Sequence, residues 1–138
     1  MKLTNHQIAE KIRGTGLKPT TQRIAILKEL MSRTDHPGAD LIYKNLKEDY
    51  PSLSMNTIYL NLETFVKYGI IQKINNLTNL GRFDGNAAPH HHFICVKCKK
   101  IIDLHDVMLP EIKIPEGFKI ATVFTDQIQL NGVCIDCI

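Results

Sequence analysis

The sequence predicts an α+β chain in two parts: a helical half closed by a short hairpin, then a smaller strand-rich half built around four cysteines. Three observations carry that prediction. Apolar residues recur at helical spacing as far as residue 69 and then switch to the alternation of strands. Charge divides the chain as well, further on, at residue 83. Residues 1–83 hold 12 Lys+Arg against 7 Asp+Glu, a net of +5, and residues 84–138 hold 5 against 7, a net of −2. All four cysteines and four of the six histidines lie in the second part. The expected domains are therefore 1–83 and 84–138, with a basic half and a ligand-rich half suited to different tasks.

At 138 residues, 43% hydrophobic and 22% charged, the chain has globular values that exclude wholesale disorder. Its length suits one ordinary domain or two small ones. No apolar run approaches the roughly 18–20 residues that span a bilayer. The opening MKLTNHQIAEKIRG lacks the apolar stretch of a secretory signal. A cytoplasmic chain with no membrane partner is expected. In that compartment, spaced cysteines are metal ligands more often than disulfides.

The elements follow in order. Thr4-Asn5-His6-Gln7 fits a capping box ahead of Ile8 and Ile12. Gly14-Thr15-Gly16 ends that helix, and Pro19-Thr20 opens a second with Ile24, Leu27 and Met31 along one face. After the turn Asp35-His36-Pro37-Gly38, a third helix offers Leu41, Ile42, Leu46 and Tyr50 to the core and stops at Pro51. Ser54 caps a fourth, which ends near Gly69. Ile58, Leu62, Phe65 and Val66 form its core stripe, so Asn56, Thr57, Leu60 and Thr64 point away with Tyr59 on the flank. Short amides, hydroxyls and aliphatics on an outward face are unusual, because a plain solvated helix carries Lys and Glu there. Ile70–Ile74, the polar turn 75–81 and Arg82-Phe83-Asp84 then read as a hairpin. Short helices followed by a hairpin are the order of a winged helix-turn-helix. The second half reads as strands over 92–96, 100–104, 118–124 and 127–133, with a short helix over 107–114.

Cys95-Val96-Lys97-Cys98 and Cys134-Ile135-Asp136-Cys137 are two CxxC pairs separated by 35 residues. Each turn sets two thiolates on one side of a tight knuckle, and two knuckles supply the four sulfurs of a closed tetrahedral zinc site. Such a site is structural, since it keeps no open position for substrate. It would support a domain of about 50 residues, which lies near the lower limit for folding on its core alone. A redox dithiol or a pair of disulfides is the other reading of the same spacing.

His90-His91-His92 opens a strand, so His90 and His92 share one face and His91 takes the other. Asp84, Asp103 and His36 are the candidates to complete their ligand set. Three imidazoles and two carboxylates suit Fe(II), Mn(II) or another first-row divalent ion, with a sixth position open. His36 would make that ion a clip between the two halves. His6 and His105 read as ordinary surface residues.

These segments together resemble the ferric uptake regulator (Fur) superfamily of bacterial metal-dependent repressors. The resemblance runs through Lys18-Pro19-Thr20-Thr21-Gln22-Arg23, His36-Pro37 with Ala39-Asp40 and Tyr43, and Ser54 to Leu62. It continues through Arg82-Phe83-Asp84, His90 to Cys95 and both CxxC pairs, which covers essentially the whole chain. It implies an N-terminal winged-helix DNA-binding domain, an α/β dimerisation domain, and a homodimer on a palindromic double-stranded operator. It implies structural Zn(II) on Cys95, Cys98, Cys134 and Cys137, and a regulatory Fe(II) or Mn(II) on His36, Asp84, His90, His92 and Asp103. Within the superfamily the likeness is greatest to the peroxide-sensing (PerR) branch, because iron-sensing members tend to carry glutamate where this chain has Asp84 and Asp103. In that branch, peroxide reacting at bound Fe(II) leads to oxidation of ligand histidines, here His36 and His90, and to release of the operator. That is a sacrificial sensor, not an enzyme.

On DNA, Asn56, Thr57 and Tyr59 would reach base edges in the major groove. Lys18 resembles the family residue that enters an AT-rich minor groove. Arg13, Arg23, Lys67 and Lys73 are candidates for phosphate contacts. Two features depart from the family's pattern. Leu60 stands where relatives often have Arg or Asn, and it can touch a thymine methyl but cannot make a bidentate contact to guanine. The stretch 104–117 is short for the dimer-domain helix. Three other readings compete with the peroxide sensor. One is an iron- or manganese-sensing repressor that does not respond to peroxide. Another is a non-haem iron enzyme with His90, His92 and a carboxylate as a facial triad. The last is a zinc-ribbon interaction module with a single metal.

Overall fold

The computed structural model describes residues 2–74, 81–105, 113–123 and 127–138. The chain divides into two compact units, Met1–Ala87 and Ala88–Ile138.

Among the described residues, four helices build the first unit: α1 (Asn5–Arg13), α2 (Thr21–Met31), α3 (Ala39–Leu46) and α4 (Met55–Lys67). Each N-terminus except that of α3 is sealed by a hydroxyl. Thr4 and Gln7 form the full capping box, with Gln7 N–H donating to Thr4 Oγ1 (3.1 Å) and Thr4 N–H donating to Gln7 Oε1 (2.8 Å). Thr20 accepts from Arg23 N–H, and Ser54 accepts from Thr57 N–H. At the far end of α4, Ile70 N–H bonds Phe65 C=O (2.9 Å) and Gly69 N–H bonds Val66 C=O (3.0 Å). This Schellman pairing requires the left-handed Gly69, with φ of 74°.

The core gathers Ile8 and Ile12 of α1, Leu27 and Leu30 of α2, Ile42 and Leu46 of α3, and Ile58, Leu62 and Phe65 of α4. α2 buries a wider face than the stripe expected of it. Ala25 and Ile26 are buried as well, whereas Ile24 and Met31 are only half-buried. The reason is position, since α2 packs against α1, α3 and α4 together. α3 ends at Leu46, earlier than the expected stop at Pro51, and turns lead on to Tyr50, whose N–H bonds Leu46 C=O (3.0 Å). A residue before proline is driven out of the helical region, which frays this last turn.

β1 (Gln72–Ile74) and β2 (Arg82–Asp84) form an antiparallel hairpin in which Gln72 faces Asp84. That pairing keeps Asp84 in the first unit, whereas the charge split assigned it to the second.

In the second unit, β3 (His91–Cys95) is the centre of a three-stranded sheet. It lies between antiparallel β4 (Ile101–Leu104) and parallel β5 (Gln129–Gly132). A 3-10 turn, Ile135–Cys137, follows. The strand expected over 118–124 does not form in its described residues, 118–123. Ile120 N–H bonds Phe118 C=O (2.8 Å), which closes a tight three-residue turn in place of an extended ladder. Most of the helix expected over 107–114 lies outside the described residues; Lys113 and Ile114 are exposed and non-helical. Among the described residues no helix is long and apolar enough to cross a membrane.

Candidate metal centres

The parallel pairing of β3 and β5 builds the first centre. Cys95 ends β3 directly opposite Gly132, so the knuckle after β3 and the chain after β5 meet at the same end of the sheet. A Cβ on Gly132 would come within 3.0 Å of the Phe93 ring, so any larger residue there would have to push that ring aside. Lys99, with φ of 65°, turns the first knuckle back. The result is four thiols with their sulfurs within 4.8 Å of one another, and Cys98 Sγ lies 3.7 Å from Cys134 Sγ. A tetrahedral ion with sulfur bonds of about 2.3 Å requires edges of about 3.8 Å.

The local backbone favours thiolate at this site. The Cys98 N–H (3.5 Å) and the Cys134 N–H (3.4 Å) both point at Cys95 Sγ. Those donors, Cys98 first, bring the Cys95 thiol down to about 6. Cys137 is pushed the other way, chiefly by hydrogen bonding to the neighbouring Cys134 thiol. One ready thiolate among crowded thiols is the state that a divalent cation resolves. The residues fit zinc, and a bound ion would join the end of β3 to the C-terminal turn.

The second unit also holds an imidazole–carboxylate group. His92 lies opposite Asp103 in the β3–β4 register, and His90 stands on the same face one residue before the strand. His90 Nε2 is 3.1 Å and His92 Nε2 is 3.3 Å from the same oxygen, Asp103 Oδ1. His90 Nδ1 lies 2.8 Å from Ala88 C=O, which can only accept, so this nitrogen carries a proton and, in the neutral ring, Nε2 keeps its lone pair. A lone pair facing a carboxylate at this distance calls for a proton or a cation between them. His91 takes the opposite face, as alternation predicts, and its Nδ1 accepts from Ile128 N–H (2.9 Å). His105 is not an isolated surface residue: its ring stacks on His90, with centroids 5.0 Å apart.

The first unit carries a matching pair. His36 Nε2 lies 3.4 Å from Asp84 Oδ2, and both residues are buried, at 4% and 7% exposure. Asp84 Oδ1 accepts from Asn86 N–H (2.9 Å). His36 sits in the left-handed region with φ of 53°, at a cost of order 1–3 kcal/mol for a residue with a side chain. The hairpin holds it there. Arg82 Nε donates to His36 C=O (2.6 Å), a second guanidinium nitrogen donates to Asp35 C=O, and Phe83 N–H donates to Pro37 C=O (3.0 Å). Sequence reasoning noted Arg82 in its motif but assigned it no task; a backbone clamp leaves no signal in residue spacing. In both units nitrogen and oxygen lie about 3–3.4 Å apart, the separation of neighbouring ligands on an ion with bonds of about 2.1 Å. The donor set is nitrogen and oxygen without sulfur, which suits Fe(II) or Mn(II).

The residues read as DNA contacts are placed unequally. Asn56 is exposed on the first turn of α4, Thr57 beside it is half-buried, and Tyr59 (43%) and Leu60 (55%) face outward. Lys18 is exposed before α2. Of the four candidates for phosphate contacts, Lys67 is exposed. Arg13 pairs with Glu10. Lys73 pairs with Glu63 at 2.6 Å, which raises its pKa. Arg23 is committed to the scaffold, donating to Asn61 Oδ1 and Lys18 C=O (both 3.0 Å).

Comparison with known proteins bears on these centres. Residues 14–126 match the Ferric uptake regulator family. The peroxide-responsive repressor PerR of Staphylococcus epidermidis is 37% identical over 142 residues, spanning 96% of this chain and 91% of that protein. Among solved structures, the ferric uptake regulator Fur of Helicobacter pylori, described as having three functional metal-binding sites, superposes with a TM-score of 0.72. It does so at 21% identity, over 99% of this chain and 95% of that one. PerR of Streptococcus pyogenes, described in terms of peroxide sensing and gene regulation, gives a TM-score of 0.54 at 25% identity, over 96% of this chain and 92% of that one. The chain belongs to the ferric uptake regulator family, with that family's fold of helices followed by sheets and a four-cysteine cluster.

Proposed function

We propose that this chain is a metal-dependent transcriptional repressor that senses peroxide. The observation that carries the reading is the presence, in each compact unit, of buried imidazole nitrogen beside a carboxylate: His36 with Asp84, and His90 and His92 with Asp103. We assign these five as ligands of one regulatory Fe(II) or Mn(II), and the four cysteines as ligands of structural Zn(II). The near full-length similarity to peroxide-responsive repressors and the aspartates at both carboxylate positions favour the peroxide-sensing branch. The protein is a regulator and not an enzyme, as its relatives are.

The first unit is assigned as the winged-helix DNA-binding domain and the second as the dimerisation domain of a cytoplasmic homodimer. Asn56, Thr57 and Tyr59 on α4 would enter the major groove of a palindromic operator, and Lys18 the minor groove. Exposed Phe118, Ile120 and Val123 give the second unit an apolar surface that a second copy would cover. Bound Fe(II) would supply the reduction of peroxide beside its ligands. The chain's own part is to hold the His36 and His90 rings where that chemistry occurs, and to lose its grip when either ring is oxidised. An oxidised imidazole is a poorer donor, so the two halves of the ligand set would separate and the operator would be released.

Metal content and gel shift test this directly. The manganese-loaded protein is expected to hold one zinc and one further ion per chain and to retard DNA enriched from a random pool. Removing the further ion while keeping zinc should abolish that shift. A shift indifferent to the second metal would reject metal control.

A further inference from the structure

We propose that Arg82 is the positioning residue for the regulatory metal: its guanidinium holds the His36 loop in the shape that presents the His36 imidazole beside Asp84. The inference rests on the metal-dependent repressor reading and adds a residue outside the ligand set.

His36 is the only residue of that set whose backbone is left-handed, a conformation that histidine enters more readily than most residues but that is still uncommon for a residue with a side chain. The support comes from β2. Two guanidinium nitrogens of Arg82 donate to the consecutive carbonyls of Asp35 and His36, the Nε bond being 2.6 Å. The next residue, Phe83, bonds Pro37 C=O (3.0 Å), and the one after it is the ligand Asp84. Three successive residues of one strand therefore fix the loop, its backbone and the carboxylate that faces its imidazole. Arg82 is half-buried, and its bond to His36 C=O is part-buried. A planar fork suits two adjacent carbonyls, whereas a lysine offers a single rotatable ammonium. Ligand-orienting partners of this kind change metal affinity on the order of 10- to 100-fold when removed.

The geometry also links ligand to wing. Arg82 belongs to the hairpin, where it pairs with Ile74. Any shift of the His36 loop on metal loss is therefore passed to the strand that carries the wing, and a wing held on DNA would favour the metal-ready loop in return.

The test uses full-length, zinc-loaded protein carrying Arg82→Ala or Arg82→Lys. Mn(II) titration is expected to show binding about tenfold weaker or worse for Arg82→Ala, with an intermediate loss for Arg82→Lys and zinc content unchanged. A second readout separates positioning from general loosening. After Fe(II) loading and hydrogen peroxide, mass spectrometry should show oxidation at His36 falling relative to His90, because His90 is held independently by Ala88 C=O. Unchanged Mn(II) affinity together with an unchanged His36-to-His90 ratio would overturn the proposal. If Arg82→Ala does not fold, Arg82→Lys carries the test by itself, and wild-type affinity in that variant overturns it. Failure of wild-type protein to bind any Mn(II) beyond its zinc would instead refute the repressor reading, and this inference with it.

Discussion

The first unit encloses Phe65, Phe83, Ile8, Ile26, Leu27 and Leu62 at 0% exposure. The second leaves Phe118 (64%), Ile120 (53%), Val123 (57%) and Ile135 (85%) open, and buries little more than Ile94, Ile101 and two cysteines among its described apolar residues. The contrast teaches how each unit is stabilised. Four helices around a shared core stabilise themselves by removing apolar area from water. A unit of about 50 residues built on a three-stranded sheet cannot do so and, on the proposed reading, depends on cross-linking by metal and on a second copy. On the proposed reading the division also suits a sensor, since the first unit can keep its fold on its own core while the ligand candidates carried by both units gain or lose their ion.

The largest effect should come from breaking the metal cross-link. Cys134→Ser removes one of four ligands from a site whose binding energy is of order 10–16 kcal/mol. Zinc content should fall, and hydrogen exchange over His91–Cys95 should become fast while α2 stays protected. Acid should act the same way. The Cys95 thiol is lowered to about 6, so its thiolate contribution is present above the usual thiol value and lost as pH falls through about 6. Zinc retention, followed with a chelating dye, should therefore be complete at neutral pH and fall on acidification, with the helical circular dichroism signal largely kept.

The converse substitution is Phe65→Ala. It should cost the first unit about 3–5 kcal/mol in urea denaturation, through lost contacts and a cavity between α4 and its neighbours, and leave zinc content unchanged. A smaller effect sharpens the comparison at the first unit's own exposed apolar residues. Tyr59→Ala should leave stability unchanged and weaken operator binding by several-fold, about 1 kcal/mol, more than binding to random DNA. Equal loss on both in a gel shift would reject base reading by Tyr59.

The first unit was largely legible in the sequence because its signals are local. Thr4 and Ser54 cap the helices they were expected to cap, Thr20 caps the one it was expected to open, and the Ile58–Leu62–Phe65 stripe faces the core. The cysteine cluster was legible because CxxC spacing constrains geometry directly. The 118–124 segment was not, since Phe118, Ile120 and Val123 alternate like a strand but take no place in this chain's sheet. Alternation records which sides a segment offers, not what pairs with its backbone. Arg82 and His105 escaped for a related reason: a clamp on distant carbonyls and a ring stacked across two elements depend on tertiary geometry that sequence spacing does not encode. The histidines proposed as ligands lay between these extremes. The shared face of His90 and His92 followed from strand periodicity, while the burial of His36 against Asp84 followed only from the fold.

Mass spectrometry of the Fe(II)-loaded protein after a brief exposure to hydrogen peroxide tests the central claim most directly. A gain of one oxygen on the peptides containing His36 or His90, rising in step with loss of operator binding and absent from manganese-loaded protein, is the predicted result. Intact histidines with operator binding unchanged by peroxide would contradict it.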